Sequence, residues 1–148
     1  MLRTFFKSDL PQLVAIEQAV HIAPWTEETF KACFQSGHHC FVVELDKKII
    51  GFAISSAHSG ECHVLNIGIA REYQHQGWGR KLLQHLLQQA KREGAGIAYL
   101  EVRRSNTRAI SLYRKMHFHL VGERKNYYPT VSGQEDALVF AKSLHEEI

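Results

Sequence analysis

The heptapeptide Gln74-His75-Gln76-Gly77-Trp78-Gly79-Arg80 stands between two apolar segments of different period. Before it, Val64-Leu65-Asn66-Ile67-Gly68-Ile69-Ala70 reads as a buried strand. After it, Leu82, Leu83, Leu86, Leu87 and Ala90 fall on one face of a 3.6-residue repeat. A strand that turns through glycine straight into a helix aims several backbone N–H groups, and the positive end of the helix dipole, at one point. Such a point suits a phosphate. Gly77 and Gly79 let the backbone approach an anion closely and allow positive φ, both of which a Cβ would hinder. No Gly-Lys-Ser/Thr follows, so the turn is not a P-loop. The third glycine of the dinucleotide fingerprint is also missing, with Leu82 in its place. An ordinary strand-to-helix turn has the same pattern, so the other motifs must decide.

At 148 residues, 45% hydrophobic and 22% charged, the chain is expected to form a single domain, residues 1–148, around one core. A net charge of +3 suits an anionic cofactor or a ribosome-like partner without demanding either. Basic residues gather from Arg103 and Arg104 through Arg108, Arg114, Lys115, Arg124 and Lys125, and a solvated face is the common explanation of such a run. Cys33, Cys40 and Cys62 are odd in number and lack paired metal-ligand spacing, so they read as reduced thiols of a cytoplasmic protein. The His38-His39 and His117-Phe118-His119 groups come without Asp or Glu partners, and no metal is expected. No signal-like start and no apolar run of membrane-spanning length is present.

Along the chain, residues 1–6 read as a strand. Ser8 or Asp9 offers an N-cap to a helix with Pro11 in its first turn and a stripe of Leu13, Ile16, Ala19 and Val20. Pro24-Trp25 ends that helix, and Thr26 caps a second, in which Phe30, Cys33 and Phe34 share a face. Strands over 40–45, 49–57 and 62–70 form an antiparallel meander through the turns Asp46-Lys47-Lys48 and His58-Ser59-Gly60. A helix over 77–93 ends at Gly94, and 97–103 is a strand. Ser105 or Asn106 caps a helix to about Met116. Strands over 119–127 and 137–143 flank a loop holding Pro129 and Gly133. The order β-α-α-β-β-β-α-β-α-β-β describes an α+β domain.

Two residues in this frame could carry chemistry. Glu101 interrupts the apolar strand Ala98-Tyr99-Leu100-Glu101-Val102, on the face of Ile97, Tyr99 and Arg103. It is either an ion-pair partner of Arg103 or Arg71, or a general base tuned by partial burial. Tyr113 shares a helix face with Ala109 and Met116. It is either a core tyrosine or a proton donor whose ordinary pKa near 10 lies above the roughly 8.5 of a thiol. Gly68 inside a strand points to a bulge or to close approach by a ligand. Asn106 alone reads as a helix cap.

These residues resemble the GCN5-related N-acetyltransferase (GNAT) family, whose Gln/Arg-x-x-Gly-x-Gly/Ala motif between a bulged strand and a helix is matched by Gln74, Gly77 and Gly79. Further matches are to the RimI type within it: Ala23-Pro24-Trp25-Thr26-Glu27, Leu100-Glu101-Val102-Arg103 with Ser105-Asn106, Ala109-Ile110-Ser111-Leu112-Tyr113, and Asn126-Tyr127-Tyr128-Pro129 with Glu135-Asp136-Ala137. The resemblance covers essentially the whole chain. It implies the acyl-CoA N-acyltransferase fold: a mixed, mostly antiparallel seven-stranded sheet flanked by four helices and splayed at the cofactor site. It implies acetyl-CoA as cosubstrate, with its diphosphate on His75, Gln76, Gly77, Trp78, Gly79 and Arg80. The pantetheine arm would lie along Ile67, Gly68 and Ile69, and Asn106 would contact the cofactor. Glu101 becomes the proton acceptor and Tyr113 the proton donor. Members of that type acetylate the N-terminal alanine of a small-subunit ribosomal protein, and here Trp25, Tyr127 and Tyr128 are expected to wall the acceptor. A cytoplasmic monomer without nucleic-acid or membrane contacts follows. Lysine ε-amines or small amines are the alternative acceptors. A non-catalytic acetyl-CoA sensor or a ribosome-binding module is the alternative class. One departure stands out: His117-Phe118 replaces the family's usual Gly-Phe after the tyrosine helix.

Overall fold

The computed structural model describes residues 1–145 and Ile148. In chain order it contains β1 (Leu2–Thr4), a 3₁₀ turn (Lys7–Asp9), α1 (Leu10–Val20), α2 (Glu27–Gln35), β2 (His39–Leu45), β3 (Lys48–His58) and β4 (Glu61–Ile69). A second 3₁₀ turn (Arg71–Tyr73) precedes α3 (Trp78–Arg92), β5 (Ile97–Arg103), α4 (Thr107–Lys115), β6 (His119–Pro129) and β7 (Gln134–Ser143). The seven strands lie in the order β1-β2-β3-β4-β5-β7-β6. Adjacent pairs are antiparallel at β1–β2, β2–β3, β5–β7 and β6–β7. The β4–β5 pair is parallel, with Glu61 opposite Ile97 and Val64 opposite Leu100. That ladder ends at Val64 and Leu100, although β4 runs on to Ile69 and β5 to Arg103. Two-residue turns with both φ angles positive, Asp46 and Lys47 (50° and 64°) and Ser59 and Gly60 (49° and 79°), close the β2–β3 and β3–β4 hairpins in the hand that strand twist favours.

The chain forms two compact units. The first comprises Met1–Ser56 and Leu65–Leu86. Its core joins Leu13, Ile16, Phe30, Cys40, Val42, Ile49, Phe52 and Ile54, with the Phe30 ring edge-on to Phe52 at 5.7 Å. The Thr26 hydroxyl accepts the Thr29 N–H at 3.2 Å, as a cap should. Helix α1 departs from expectation in two respects. Ala19 is exposed, and Glu17, 1% exposed, is buried with Leu13 and Ile16. Asp9 does not cap α1 by its side chain. Its carboxylate turns back to accept the Phe6 N–H at 2.8 Å and the Arg3 guanidinium at 2.9 and 3.0 Å, and that guanidinium holds it below the usual carboxylate range. Gly68 has a packing constraint of its own, because a Cβ there would lie 2.7 Å from the Phe52 ring. Gly51 is required in the same way, with Ile69 Cδ1 at 2.6 Å from its would-be Cβ.

The second unit comprises Ala57–Val64 and Leu87–Ile148, and buries Ala98, Leu100, Val102, Met116, Phe118 and Phe140. Strand β5 alternates buried and half-buried residues, with Glu101 on the less buried face. Strands β6 and β7 are longer than their apolar stretches suggest, and Pro129 ends β6 ahead of the turn. The three cysteines form no disulfide with one another, Cys40 and Cys62 being buried and Cys33 partly so. No helix among the described residues is long and apolar enough to cross a membrane.

Candidate active site

In the first unit, the expected anion turn has the right local build. His75 (φ 65°) and Gly77 (φ 86°) both occupy the left-handed region, which sends the chain abruptly from the turn into α3. The Gln74 side chain pins the turn to β4 by donating to the Ile69 carbonyl at 2.9 Å. The first bond of α3 runs from the Lys81 N–H to the Gly77 carbonyl at 3.1 Å. The amides of Trp78, Gly79 and Arg80 therefore precede the helix ladder and point outward from its start. Nothing lies within 4 Å of where a Gly77 Cβ would stand, and His75, Gln76, Gly77 and Arg80 are exposed. Open space, unspent amides, a helix dipole and a cationic Arg80 fit a diphosphate. The Gln76 side chain donates back to the Glu72 carbonyl at 3.3 Å, which assigns any anion contact there to its backbone N–H. Lys81 Nζ sits 4.6 Å over the Trp78 ring.

The strand expected to carry the pantetheine arm is also in this unit. Gly68 O faces β3, 3.2 Å from the would-be Cβ of Gly51, so the N–H and C=O groups of Ile67 and Ile69 point to the other edge. Both carbonyls on that edge are already engaged, Ile67 O with His21 Nε2 at 3.1 Å and Ile69 O with Gln74. What the edge offers an extended ligand is its N–H donors. A carboxylate that sequence reasoning passes over holds this region together. Glu17 Oε1 accepts from Asn66 Nδ2 at 2.9 Å and lies 3.3 Å from His21 Nε2, and Oε2 accepts the Trp25 N–H at 2.9 Å. Trp25, half-buried, packs edge-on against Phe30 at 5.3 Å.

In the second unit, Glu101 pairs with neither Arg103 nor Arg71. Its Oε1 meets Arg124 Nε of β6 at 3.1 Å. Arg103 instead bonds Glu135 at 3.1 Å and the Pro129 carbonyl at 2.7 Å and lies 4.6 Å over the Tyr128 ring. Arg71 bonds the Ala19 carbonyl. Tyr127 and Tyr128 meet edge to face at 5.0 Å. Burial, and secondarily Tyr128, pushes the Tyr113 phenol up to about 12. Tyr128 is pushed to about 12 as well, by burial and then by the Glu101 charge. Tyr113 stands in the last turn of α4, where the chain stops in a Schellman motif. The His117 N–H donates to the Arg114 carbonyl and the Phe118 N–H to the Tyr113 carbonyl, each at 3.0 Å. His117 adopts φ 68°, so it tolerates the glycine conformation. The Tyr113 and Phe118 rings close the motif at 6.0 Å. Asn106 acts as the α4 cap, its Oδ1 accepting the Ala109 N–H at 3.2 Å. Much of the basic run is ion-paired: Arg104 meets Glu123 and Asp136, and Lys125 meets the same two acids. Among the described residues, no group of three or more His, Cys, Asp or Glu side chains is placed to hold a metal.

The chain belongs to the Acetyltransferase (GNAT) family, which it matches over residues 8–118. It is 40% identical over 134 residues, 90% of each chain, to the [ribosomal protein bS18]-alanine N-acetyltransferase of Escherichia coli K12. The crystal structure of the ribosomal-protein-S18-alanine N-acetyltransferase from E. coli superposes with a TM-score of 0.93 at 36% identity, covering 100% of this chain and 96% of that one. Arabidopsis thaliana NAA60, solved in complex with acetyl-CoA, shares the fold at a TM-score of 0.86 and 18% identity, with 99% of both chains covered.

Proposed function

We propose that this chain transfers an acetyl group from acetyl-CoA to the N-terminal α-amine of a ribosomal protein that begins with alanine, a counterpart of bS18. The observation that carries this reading is the 40% identity to the E. coli enzyme across 90% of both chains. In this reading residues 1–148 act as one catalytic domain, monomeric and cytoplasmic, without nucleic-acid contacts. Acetyl-CoA supplies the acetyl group as an activated thioester. The amides from His75 to Arg80 would hold its diphosphate, and the outward N–H groups of Ile67 and Ile69 would hold the pantetheine arm and the developing oxyanion. One such donor is worth about 2.7–4 kcal/mol in other acyl-transfer enzymes. Glu101 would take a proton from the acceptor ammonium, directly or through water, breaking N–H and leaving a neutral amine as the nucleophile. As the C–N bond forms and the C–S bond breaks, Tyr113 would give its proton to the departing sulfur. Held near pKa 12, it keeps that proton until negative charge develops on a thiol whose own pKa is about 8.5. The extra proton left on the nitrogen would pass to the phenolate or to water. Trp25, Tyr127 and Tyr128 would contact the acceptor's first residues, and Asn106 Nδ2 remains the group that could reach the cofactor.

A polyamine acceptor is disfavoured by one observation. Glu123, Glu135 and Asp136, the acids of the β6–β7 hairpin, are engaged by Arg103, Arg104 and Lys125. A mixture of a free-alanine peptide, a lysine peptide with blocked N-terminus and a polyamine, incubated with acetyl-CoA and read by mass spectrometry, tests the proposal. Label on the alanine amine alone is expected. Label on the lysine or polyamine overturns the acceptor, and binding without transfer leaves an acetyl-CoA sensor.

A further inference from the structure

Between Arg124 and Tyr128 the β6–β7 register slips. Arg124 lies opposite Ala137 and Tyr128 opposite Glu135, so three residues of β6 stand against Asp136 alone. Such a bulge re-aims side chains, and this one is pinned. Asn126 adopts φ 52° and donates its N–H to Asp136 Oδ1 at 3.0 Å. Lys125 Nζ bonds Asp136 Oδ2 at 3.3 Å and Glu123 Oε1 at 2.8 Å. Arg124, the residue that precedes the bulge, meets Glu101 at 3.1 Å and lies 4.9 Å over the ring of Tyr127 within it.

The charges around Glu101 are few. On its own strand Arg103 is committed to Glu135 and Tyr128. On β7 the residue opposite is Val139. From β6 come Arg124 and the Tyr128 phenol, and from α4 the Tyr113 phenol, which senses Tyr128. Arg124 is therefore the cation matched to this carboxylate. The Arg124 side chain is 55% exposed and that of Glu101 28%. A pair this wet contributes about 0.2–1 kcal/mol at most, too little to explain a pinned bulge as a stability device but well suited to being exchanged.

We infer that Arg124 is the exchangeable counterion of Glu101, aiming the carboxylate in the resting protein and yielding its place to the acceptor's α-ammonium. This rests on Glu101 being the proton acceptor. One cation replaces another, so the carboxylate is never left bare, and the Tyr127 face receives the displaced guanidinium. The ammonium then loses its proton to the same oxygen atoms that Arg124 vacated. Arg124 acts as a positioning residue.

Two measurements test this. In the wild-type protein with acetyl-CoA absent, the Arg124 ¹⁵Nε resonance is followed while an alanine peptide is added. It should move with the free-amine peptide and stay in place with the N-acetylated peptide. In steady-state kinetics, Arg124→Gln should lower the acceptor KM about two- to fivefold, the worth of a surface pair no longer displaced. It should also lower kcat about three- to tenfold, less than the hundredfold of a 1 Å misplacement. Arg124→Lys should return both to near wild type. An Nε resonance indifferent to the free amine, or an acceptor KM that rises in Arg124→Gln as general damage would make it, overturns the inference. Glu101→Gln separates the layers. If it keeps full turnover, the base assignment falls and takes this inference with it. If turnover collapses while the Nε resonance stays still, only the counterion role falls.

Discussion

Replacing Glu17 by alanine should cost this protein about 3–5 kcal/mol, the range for removing one member of a buried charged set. The structure says why. Two short hydrogen bonds end on that carboxylate, from the Trp25 N–H and Asn66 Nδ2, each at 2.9 Å, and His21 Nε2 lies at 3.3 Å. A hydrogen bond to a charged group contributes about 1.5–3 kcal/mol, so the two short ones sum to about 3–6 kcal/mol. Relief from burying a carboxylate offsets part of this, and the cavity left by the side chain restores some of it. Glu17→Gln keeps the volume and one acceptor oxygen but turns an NH₂ toward a donor, so about 1–3 kcal/mol should be lost. Urea unfolding followed by circular dichroism reads both variants, and an unchanged m-value is required for the comparison. The order wild type, Gln, Ala is the signature. A Glu17→Ala loss below about 1 kcal/mol at constant m would refute the reasoning and mean that water replaces the carboxylate at no cost.

Three further outcomes are expected. In a spectrophotometric titration at 295 nm, phenolate signal should persist in rising toward pH 12, where Tyr113 and Tyr128 ionise. Tyr113→Phe should delete one such group and slow acetyl transfer by roughly 10²–10⁴-fold, whereas retained turnover would assign the proton to water. Since both phenols ionise later folded than unfolded, the folded protein binds more protons above pH 10, and stability should fall between about pH 10 and 12. Tyr113→Phe should flatten that fall. Gly77→Val should weaken acetyl-CoA binding at least tenfold by calorimetry, because its Cβ would meet no protein atom within 4 Å and would fill the space over the turn. Normal affinity would place the diphosphate elsewhere. His117→Gly should raise stability by about 0.5–1 kcal/mol, the left-handed penalty of φ 68° less the greater unfolded freedom of glycine. A melting temperature that fails to rise would show that the imidazole makes a compensating contact.

The element order could be read because each segment carries its own period or punctuation. Strand β5 falls on 97–103 as its alternation predicts, and Thr26, Asn106 and Gly94 mark ends that local chemistry dictates. Glu101 and Tyr113 could be singled out because a carboxylate in an apolar strand and a tyrosine on an apolar helix face are locally odd. What escaped depends on partners far away along the chain. Nothing in Ile16-Glu17-Gln18 announces a burial that is made tolerable by Asn66, and the expected stripe through Ala19 is rotated by that one contact. Gly68 also meets a packing demand that its own strand does not announce, since Phe52 occupies the space a Cβ would need. The Arg124 pairing is hidden by the slip between Leu120 and Gly122, where one extra β6 residue reverses the faces that alternation assigns. His75 in the left-handed region lacked even a compositional signal, since the glycine expected to take that conformation is two residues on.

The reaction itself supplies part of the acceptor choice that the side chains need not. A peptide α-amine has a pKa of about 7.7–8.0 and a lysine ε-amine about 10.4, a gap of about 2.4–2.7 units. Near pH 7 this makes the neutral α-amine roughly 250–500 times more abundant, relative to its ammonium, than the neutral ε-amine. That corresponds to about 3.3–3.7 kcal/mol of discrimination before any contact is made. That gap favours an α-amine acceptor on chemical grounds that are independent of sequence identity.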